Sequence, residues 1–165
     1  MRKIVLKFSS KFCEGKHKNI FLEIPPLDVV EIMDSYYLAL DNSFMIKNES
    51  ETKVLLILIK NLIYWGDCSV SMLEKEEKYL PIDWSDQYVG FIILRKNKTD
   101  LAVSYGVTLN VINETRPSIP EAFNPVQPIY HIEDWILNIS VEDFIKNIKL
   151  NIKELSLLLD AVDLD

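Results

Sequence analysis

The sequence predicts an α+β fold in which an antiparallel sheet packs against amphipathic helices. One observation is a pair of β-rich runs, Tyr88–Leu94 and Leu101–Ile112, on either side of a polar stretch at residues 96–100, a pattern typical of a hairpin. The other is the segment from Val141 to Val162, whose apolar residues recur every three or four positions, as on the buried face of a helix. We therefore expect a central hairpin over about residues 88–112 and a C-terminal helix packed against the sheet.

Two helical segments carry start signals of their own. Ser140 and Asp143 stand where an N-cap and its third-position acid would, an arrangement close to a capping box. Ser50 precedes the apolar run Val54–Trp65 and Gly66 follows it, which favours a helix that ends near the glycine. This run of twelve residues is well short of the roughly 20 needed to cross a bilayer, so we interpret it as core.

The N-terminal part of the chain predicts two strands and a further helix. Lys3–Ser9 and Ile20–Ile24 are short apolar runs bounded by polar residues, which is typical of strands. A proline is followed by apolar residues at the spacing of a helix. These residues are Pro26, Leu27, Val30, Met33 and Tyr37.

The length and composition predict one domain. The chain has 165 residues, of which 48% are hydrophobic and 26% are charged, values typical of a globular protein that folds unaided. Four of the seven prolines fall within Thr115–Pro128, an extended connection too short to separate two domains. We expect residues 1–165 to form a single globular domain.

The charge balance limits the classes of partner. Twenty-five acidic and eighteen basic residues give a net charge of −7, and a field of this sign repels phosphate backbones and anionic lipids while it attracts cationic surfaces. We therefore expect neither nucleic acid nor a membrane as the partner. Lys7, Lys11 and Glu14 interrupt the first residues before a signal-peptide apolar region could form, so we expect a cytoplasmic protein.

The sequence contains no recognised motif for catalysis or for cofactor or metal binding. His17 and His131 are its two histidines, and neither lies in a known nucleophile context. Four widely separated glycines cannot form a phosphate-binding loop, and no Cys, His, Asp or Glu cluster has ligand spacing. We expect no cofactor, no metal and no enzymatic activity; an enzyme of unrecognised type that uses scattered carboxylates stays open as an alternative.

The segment before the hairpin interleaves carboxylates with aromatic residues, which suits a docking surface for a basic partner. We predict a partner-binding set of seven residues: Glu74, Glu76, Glu77, Asp83, Trp84, Asp86 and Tyr88. The alternative interpretation is a solvated acidic loop in which Trp84 and Tyr88 turn inward to the core.

Three features together resemble the immunity proteins of bacterial contact-dependent inhibition and other polymorphic toxin systems. They are the net charge of −7, a composition rich in Lys, Asn and Ile, and the acidic–aromatic segment 74–88. The resemblance is one of type and transfers no residue roles. It implies tight, stoichiometric binding to a cognate toxin domain, expected to be basic, whose active site or substrate access is then blocked.

A second function class fits the same absence of catalytic motifs. The chain could be a non-catalytic adaptor or subunit that uses the hairpin edge or the proline-rich connection to join a larger assembly.

Overall fold

The computed structural model describes residues 3–9, 18–109, 116–119, 130 and 135–162. Ten helices and strands lie in these ranges, together with a 3-10 turn at Pro25–Leu27. In chain order they are β1 (Val5–Phe8), β2 (Lys18–Ile24), β3 (Val29–Asp34), α1 (Tyr36–Leu40), α2 (Glu51–Ser71), β4 (Glu77–Trp84), β5 (Tyr88–Asn97), β6 (Asp100–Leu109), β7 (Leu137–Ser140) and α3 (Val141–Val162).

The strands form two antiparallel sheets, which confirms the α+β class. The first sheet has the order β1-β2-β3 and the second the order β4-β5-β6-β7. The predicted hairpin is the β5–β6 pair at the centre of the second sheet. Its turn is shorter than the polar stretch suggested, because Asn97 pairs with Asp100 and leaves only two residues in the loop. The first of these, Lys98, has a φ of 54°. Residues 110–112, the predicted end of the hairpin, lie outside the described part of the chain.

Helix α2 contains the predicted apolar run and begins as expected, since the Ser50 hydroxyl accepts a hydrogen bond from the backbone N–H of Lys53 at 3.2 Å. It continues past Gly66 to Ser71, so the predicted end at the glycine is wrong. Burial of Trp65 and Cys68 on both sides outweighs the helix-propensity cost of a glycine, about 1 kcal/mol. By length and composition α2 could also cross a membrane, and half of its most apolar 18-residue window is buried within the fold.

The helix predicted from residue 26 onward is wrong. After the 3-10 turn, Asp28 takes up a left-handed conformation with φ of 54°, and the chain enters β3, which pairs with β2. Val30 and Ile32 are exposed while Met33 is buried, an alternation that belongs to a strand. The β-branched residues of this segment favour the strand, and the helical spacing of its apolar residues is coincidental.

Helix α3 runs without a break from Val141 to Val162. The Ser140 hydroxyl accepts from the backbone N–H of Asp143 at 3.1 Å, which confirms the predicted cap. Its buried face combines the apolar residues Phe144, Ile148 and Leu155 with two asparagines. The proline-rich connection is described only at residues 116–119, where Arg116 and Ile119 close a turn.

Both sheets and both long helices contribute to one core. The inner faces of β1 and β2 meet α2, α3 and the second sheet around a small apolar space of about 10 Å³. Its apolar lining comprises Ile4, Leu6, Leu22, Ile24, Leu62, Trp65, Ile92, Val103, Phe144 and Ile148.

Two buried asparagines on α3 close the outer edge of β1. Asn147 Oδ1 accepts from the backbone N–H of Ile4 at 3.0 Å, and Asn151 Oδ1 accepts from that of Leu6 at 3.0 Å. Asn151 Nδ2 donates in turn to the Ile4 carbonyl at 3.1 Å. The spacing of the two asparagines matches the spacing of Ile4 and Leu6, because two residues along a strand and four along a helix both advance about 6–7 Å. The helix therefore takes the place of a neighbouring strand.

We predict that Asn151→Ala lowers the free energy of unfolding by about 2–4 kcal/mol, because the Leu6 N–H and the Ile4 carbonyl both lose a buried partner. Urea unfolding followed by circular dichroism measures the change. Lys153→Ala, an exposed substitution on the same helix, controls for helix propensity and should stay within about 0.5 kcal/mol of the parent. Equal unfolding midpoints for the two variants would contradict this role of Asn151.

Candidate protein-docking surface

The predicted partner-binding segment is largely a strand rather than a loop. Strand β4 occupies Glu77–Trp84, and its seven steps separate the two ends by about 23 Å. The seven predicted residues therefore fall into two groups. Glu74, Glu76 and Glu77 lie at the start of β4, whereas Asp83, Trp84, Asp86 and Tyr88 lie at its end and in the turn that follows.

The group at the start of β4 is neutralised by its neighbours. Glu76 forms an ion pair with Lys78 at 2.6 Å, and Glu77 forms one with Arg95 on β5. The hydrogen bond from Lys78 lowers the pKa of Glu76, and the Tyr79 hydroxyl donates to Glu77 at 2.8 Å. Residues 74–78 and 95–100 together contain five bases and four acids, a net charge of +1. This end of the strand is not an acidic surface.

At the other end of β4, a bulge turns Asp83 inward. Pro81 pairs with Phe91 and Asp83 with Gly90, so Ile82 is an extra residue without a cross-strand partner. One extra residue exchanges the two faces of the strand beyond it. Asp83 and Trp84 are each only 3% exposed, while Asp86 is exposed and Tyr88 is half-buried. The inward turn of Trp84 agrees with the alternative interpretation of this segment, and whether any of these residues contacts a partner stays a prediction.

Asp83 joins the two sheets through hydrogen bonds. Its Oδ2 accepts from the Tyr88 hydroxyl at 3.0 Å and from the Tyr105 hydroxyl at 3.4 Å, and its Oδ1 accepts from the backbone N–H of Asp34 on β3 at 3.4 Å. Burial raises the pKa of Asp83, and the bonds from the two tyrosines and from Asp34 oppose that shift. Burial and the neighbouring Asp83 carboxylate also raise the pKa of Tyr88 to about 12 and that of Tyr105 still further.

Gly90 makes this cluster possible. The Tyr105 ring crosses over Gly90 to reach Asp83, and a Cβ at position 90 would lie 2.9 Å from Tyr105 Cζ and 3.0 Å from Asp83 Cβ. Any larger residue at position 90 would displace the tyrosine or the strand. The hydrogen bond between Tyr105 and Asp83 therefore explains why a glycine stands at position 90, and sequence periodicity gives no sign of it.

Beside Asp83, the structure brings the predicted residue Asp86 together with three residues that the predicted set does not contain, Asp34, Tyr36 and Tyr37. The Tyr37 hydroxyl donates to Asp86, and the Tyr36 and Tyr37 rings meet edge to face with their centroids 5.4 Å apart. Asp34 Oδ1 accepts from the backbone N–H of Tyr36 at 2.8 Å. We call Asp34, Tyr36, Tyr37 and Asp86 the acidic tyrosine surface.

The two chain segments that form the acidic tyrosine surface contain no basic residue. Residues 31–37 and 83–88 contain four acids and no Lys, Arg or His. The hydrogen bond to Asp86 raises the pKa of Tyr37 to about 12. Among the described residues, the ion pairs involve carboxylates other than those of Asp34 and Asp86. On β2, Lys18 is the register partner of Asp34. One sequence signal could have found this surface, because residues 25–46 contain four acids and no base.

Carboxylates and tyrosines in this arrangement suit the binding of cations on another protein. Exposed carboxylate oxygens accept hydrogen bonds from lysine and arginine, and tyrosine rings attract cations over their faces. Within the described ranges, no three His, Cys, Asp or Glu side chains are grouped so that they could hold a metal ion. The raised pKa of Asp83 would suit a general acid, but its hydrogen bonds hold strands together.

Comparison with protein-family models, curated proteins and solved structures finds no match to this chain.

We predict that Asp83→Asn gains stability relative to the parent as pH rises from about 3 to 7. A raised folded-state pKa means that the folded protein holds the proton more tightly than the unfolded chain. The associated stabilisation is complete below the ordinary pKa of 3.8 and is lost as pH rises through the folded-state value. The variant has no carboxyl to titrate and avoids this loss. Urea unfolding at several pH values gives the difference.

Tyr88→Phe provides the second arm of this test. Its hydroxyl lowers the pKa of Asp83, so its removal should raise that pKa further and make the loss of stability with pH larger than in the parent. Parallel pH profiles for the parent and both variants would show that Asp83 does not titrate as described.

Proposed function

We propose that this chain is an immunity protein that binds a basic toxin domain in a one-to-one complex, with the acidic tyrosine surface as its main contact. The observation that carries the proposal is that the acidic tyrosine surface sets two carboxyl groups, those of Asp34 and Asp86, beside two tyrosines, in segments 31–37 and 83–88 that contain no base. A toxin domain would be neutralised by coverage of its active site or of its path to substrate.

The charge supports fast capture of such a partner. With a net charge of −7, the chain attracts a cationic protein over distances of about 8 Å at physiological salt, and steering of this kind raises association rates by about 10–1,000-fold. The start of β4, with a net charge of +1, would instead repel a basic protein. The partner is therefore directed to the end of the molecule that holds Asp86.

The acidic tyrosine surface is held in shape before any partner binds. The Tyr37 hydroxyl is bonded to Asp86, and Asp34 is bonded to the backbone at Tyr36. Side chains that are already ordered lose less conformational entropy on binding. Tyr36 remains exposed and can stack on an incoming lysine or arginine. Tyrosine is one of the residues most often found at the energetically important centre of an interface.

An immunity protein of this kind acts where its own cell makes the toxin, so we propose a cytoplasmic location. The adaptor alternative receives less support from the fold, because β5 lies between β4 and β6, and β6 pairs with β7 over Asp100–Val103. Part of the hairpin edge on which that alternative relied is therefore occupied, and its other element, the proline-rich connection, is described only at residues 116–119.

Growth of a test bacterium decides the function class. The C-terminal domain encoded by the neighbouring upstream gene is expressed with and without this chain. Rescue from toxicity supports the immunity function, whereas a harmless neighbour, or toxicity without rescue, would contradict it.

Given a rescued toxin domain, we predict that Asp86→Lys slows its association with this chain by about tenfold at low salt. Stopped-flow fluorescence measures the rate, and the effect should shrink as salt is added. Glu74→Lys makes the same charge change at an exposed position on the far end of β4 and should leave the rate within about twofold. Equal slowing by both variants would show that net charge, and not the acidic tyrosine surface, guides the partner.

A further inference from the structure

The second sheet carries a cavity of about 380 Å³ on the face opposite the core; we call it the outer-sheet cavity. Ile92 and Val103 point into the core, so their neighbours Ile93 and Ser104 point to the other face. Two cross-strand rows form the floor of the cavity. The first row is Tyr79, Ile93 and Ser104, and the second is Glu77, Arg95 and Ala102.

Small side chains on β6 account for the depression. Ala102 and Ser104 stand between the larger side chains of Tyr79 on β4 and Ile136 just before β7. Ile93 is only 5% exposed and gives the floor an apolar centre. A cavity of this volume, with a few polar groups around an apolar floor, is typical of sites for small molecules.

Basic side chains border the outer-sheet cavity at one end. A second depression of about 640 Å³ shares Glu77 and Arg95 with it and is lined also by Lys75 and Lys96. Within the described part of the chain, the residues that line the two depressions include three bases and one acid. This local charge of +2 lies on a chain whose net charge is −7, so an anion is attracted to this place more than to the rest of the surface.

Backbone hydrogen bonds hold the bases together. The Lys75 N–H donates to the Lys96 carbonyl at 3.0 Å, and the Lys96 N–H donates to the Glu76 carbonyl at 3.0 Å. Lys75 has a φ of 67°, a conformation uncommon for a residue with a side chain. The pairing with Lys96 maintains it and sets the two lysines next to Arg95.

The single acid of the site orients Arg95 and is itself satisfied. Glu77 Oε1 accepts from Arg95 Nε at 2.5 Å and also contacts Nη2, while its Oε2 accepts from the Tyr79 hydroxyl at 2.8 Å. A guanidinium carries five N–H donors, so Arg95 can bind a second carboxylate while it stays paired with Glu77.

We propose that the outer-sheet cavity binds a small carboxylic acid, with the carboxylate at Arg95 and an apolar body over Ile93 and Ala102. Arginine binds carboxylates through paired, charge-assisted hydrogen bonds, and Lys75 and Lys96 add to the attraction. The apolar floor supplies the burial that a bare anion would not use. The inference goes beyond the proposed function and does not depend on it, because the cavity lies at the end of β4 away from the acidic tyrosine surface.

Three small probes separate the charge from the apolar body. Benzoate has both, benzamide keeps the ring without the charge, and acetate keeps the charge without the ring. Titration of the full chain with each probe to about 20 mM, a range that covers weak ligands, is followed by the amide signals of Ala102 and Ser104 in two-dimensional NMR. We expect benzoate to shift these signals to saturation, and the other two probes to bind at least about fivefold more weakly.

No saturable shift with benzoate would overturn the proposal. Equal affinity for benzamide would also overturn it, because the bases would then play no part. Shifts spread over the surface, without a maximum at the outer-sheet cavity, would show non-specific binding only and would overturn it too.

Two variants with the same loss of charge test the role of Arg95. Arg95→Gln should weaken benzoate at least about fivefold and leave benzamide within about twofold. Lys149→Gln removes one positive charge at an exposed position on α3, across the sheet from the cavity, and should change neither affinity by more than about twofold. Equal weakening by both variants would overturn the assignment of Arg95, since net charge alone would then explain it.

A cavity-filling variant tests the location. Ser104→Leu places a larger side chain on the floor and should weaken benzoate and benzamide alike. The side chain at position 104 faces the outer side of the sheet, and urea unfolding of each variant verifies that it is folded. Unchanged benzoate binding by a folded Ser104→Leu would overturn the proposed site.

Discussion

The hydrogen bonds that Asn147 and Asn151 form with the edge of β1 join the first sheet to the C-terminal helix. Strand β1 is four residues long, and among the described strands it pairs with β2 alone. A strand edge left open in an apolar setting would carry unpaired backbone groups, each of which costs about 1–3 kcal/mol. The asparagines supply those partners, and in doing so they fix α3 against the first sheet. The packing of α3 into the core follows from that position.

The pairing of the strands, and not the order of residues in the sequence, determines where charged side chains lie on the surface. Glu77 is acidic in the sequence, but the β4–β5 register places Arg95 opposite it. Asp34 and Asp86 are 52 positions apart in the sequence and lie on one surface because Asp83 links β3 to β4. A short acidic run is therefore a poor guide to an acidic surface. When two acidic segments lie on the same side of the fold, their negative potentials add.

The parts of the fold that sequence alone predicted are those whose signals are local. The hairpin, the start of α2 at Ser50 and the start of α3 at Ser140 depend on residues within a few positions of one another, and the structure confirms them. The β3 segment was misread because its apolar spacing fits two periods, and pairing with β2 decides between them. The inward turn of Asp83 depends on a one-residue bulge at Ile82, which periodicity does not reveal. Tyr36 and Tyr37 were not predicted as site residues, because the turn that holds Asp86, their neighbour in the fold, is distant in the sequence.

The hydrogen bonds between the asparagines and β1 can form only late in the synthesis of the chain. Ile4 and Asn147 are separated by 143 residues, and Ile4 and Asn151 by 147. At synthesis rates of about 5–20 residues per second, β1 leaves the ribosome roughly 7–30 s before its helical partner exists. The hydrogen bonds that close the sheet can form only when the last turns of the chain have been made. A chain that ends before residue 147 therefore lacks both asparagines and leaves these backbone groups at the edge of β1 without their partners on α3.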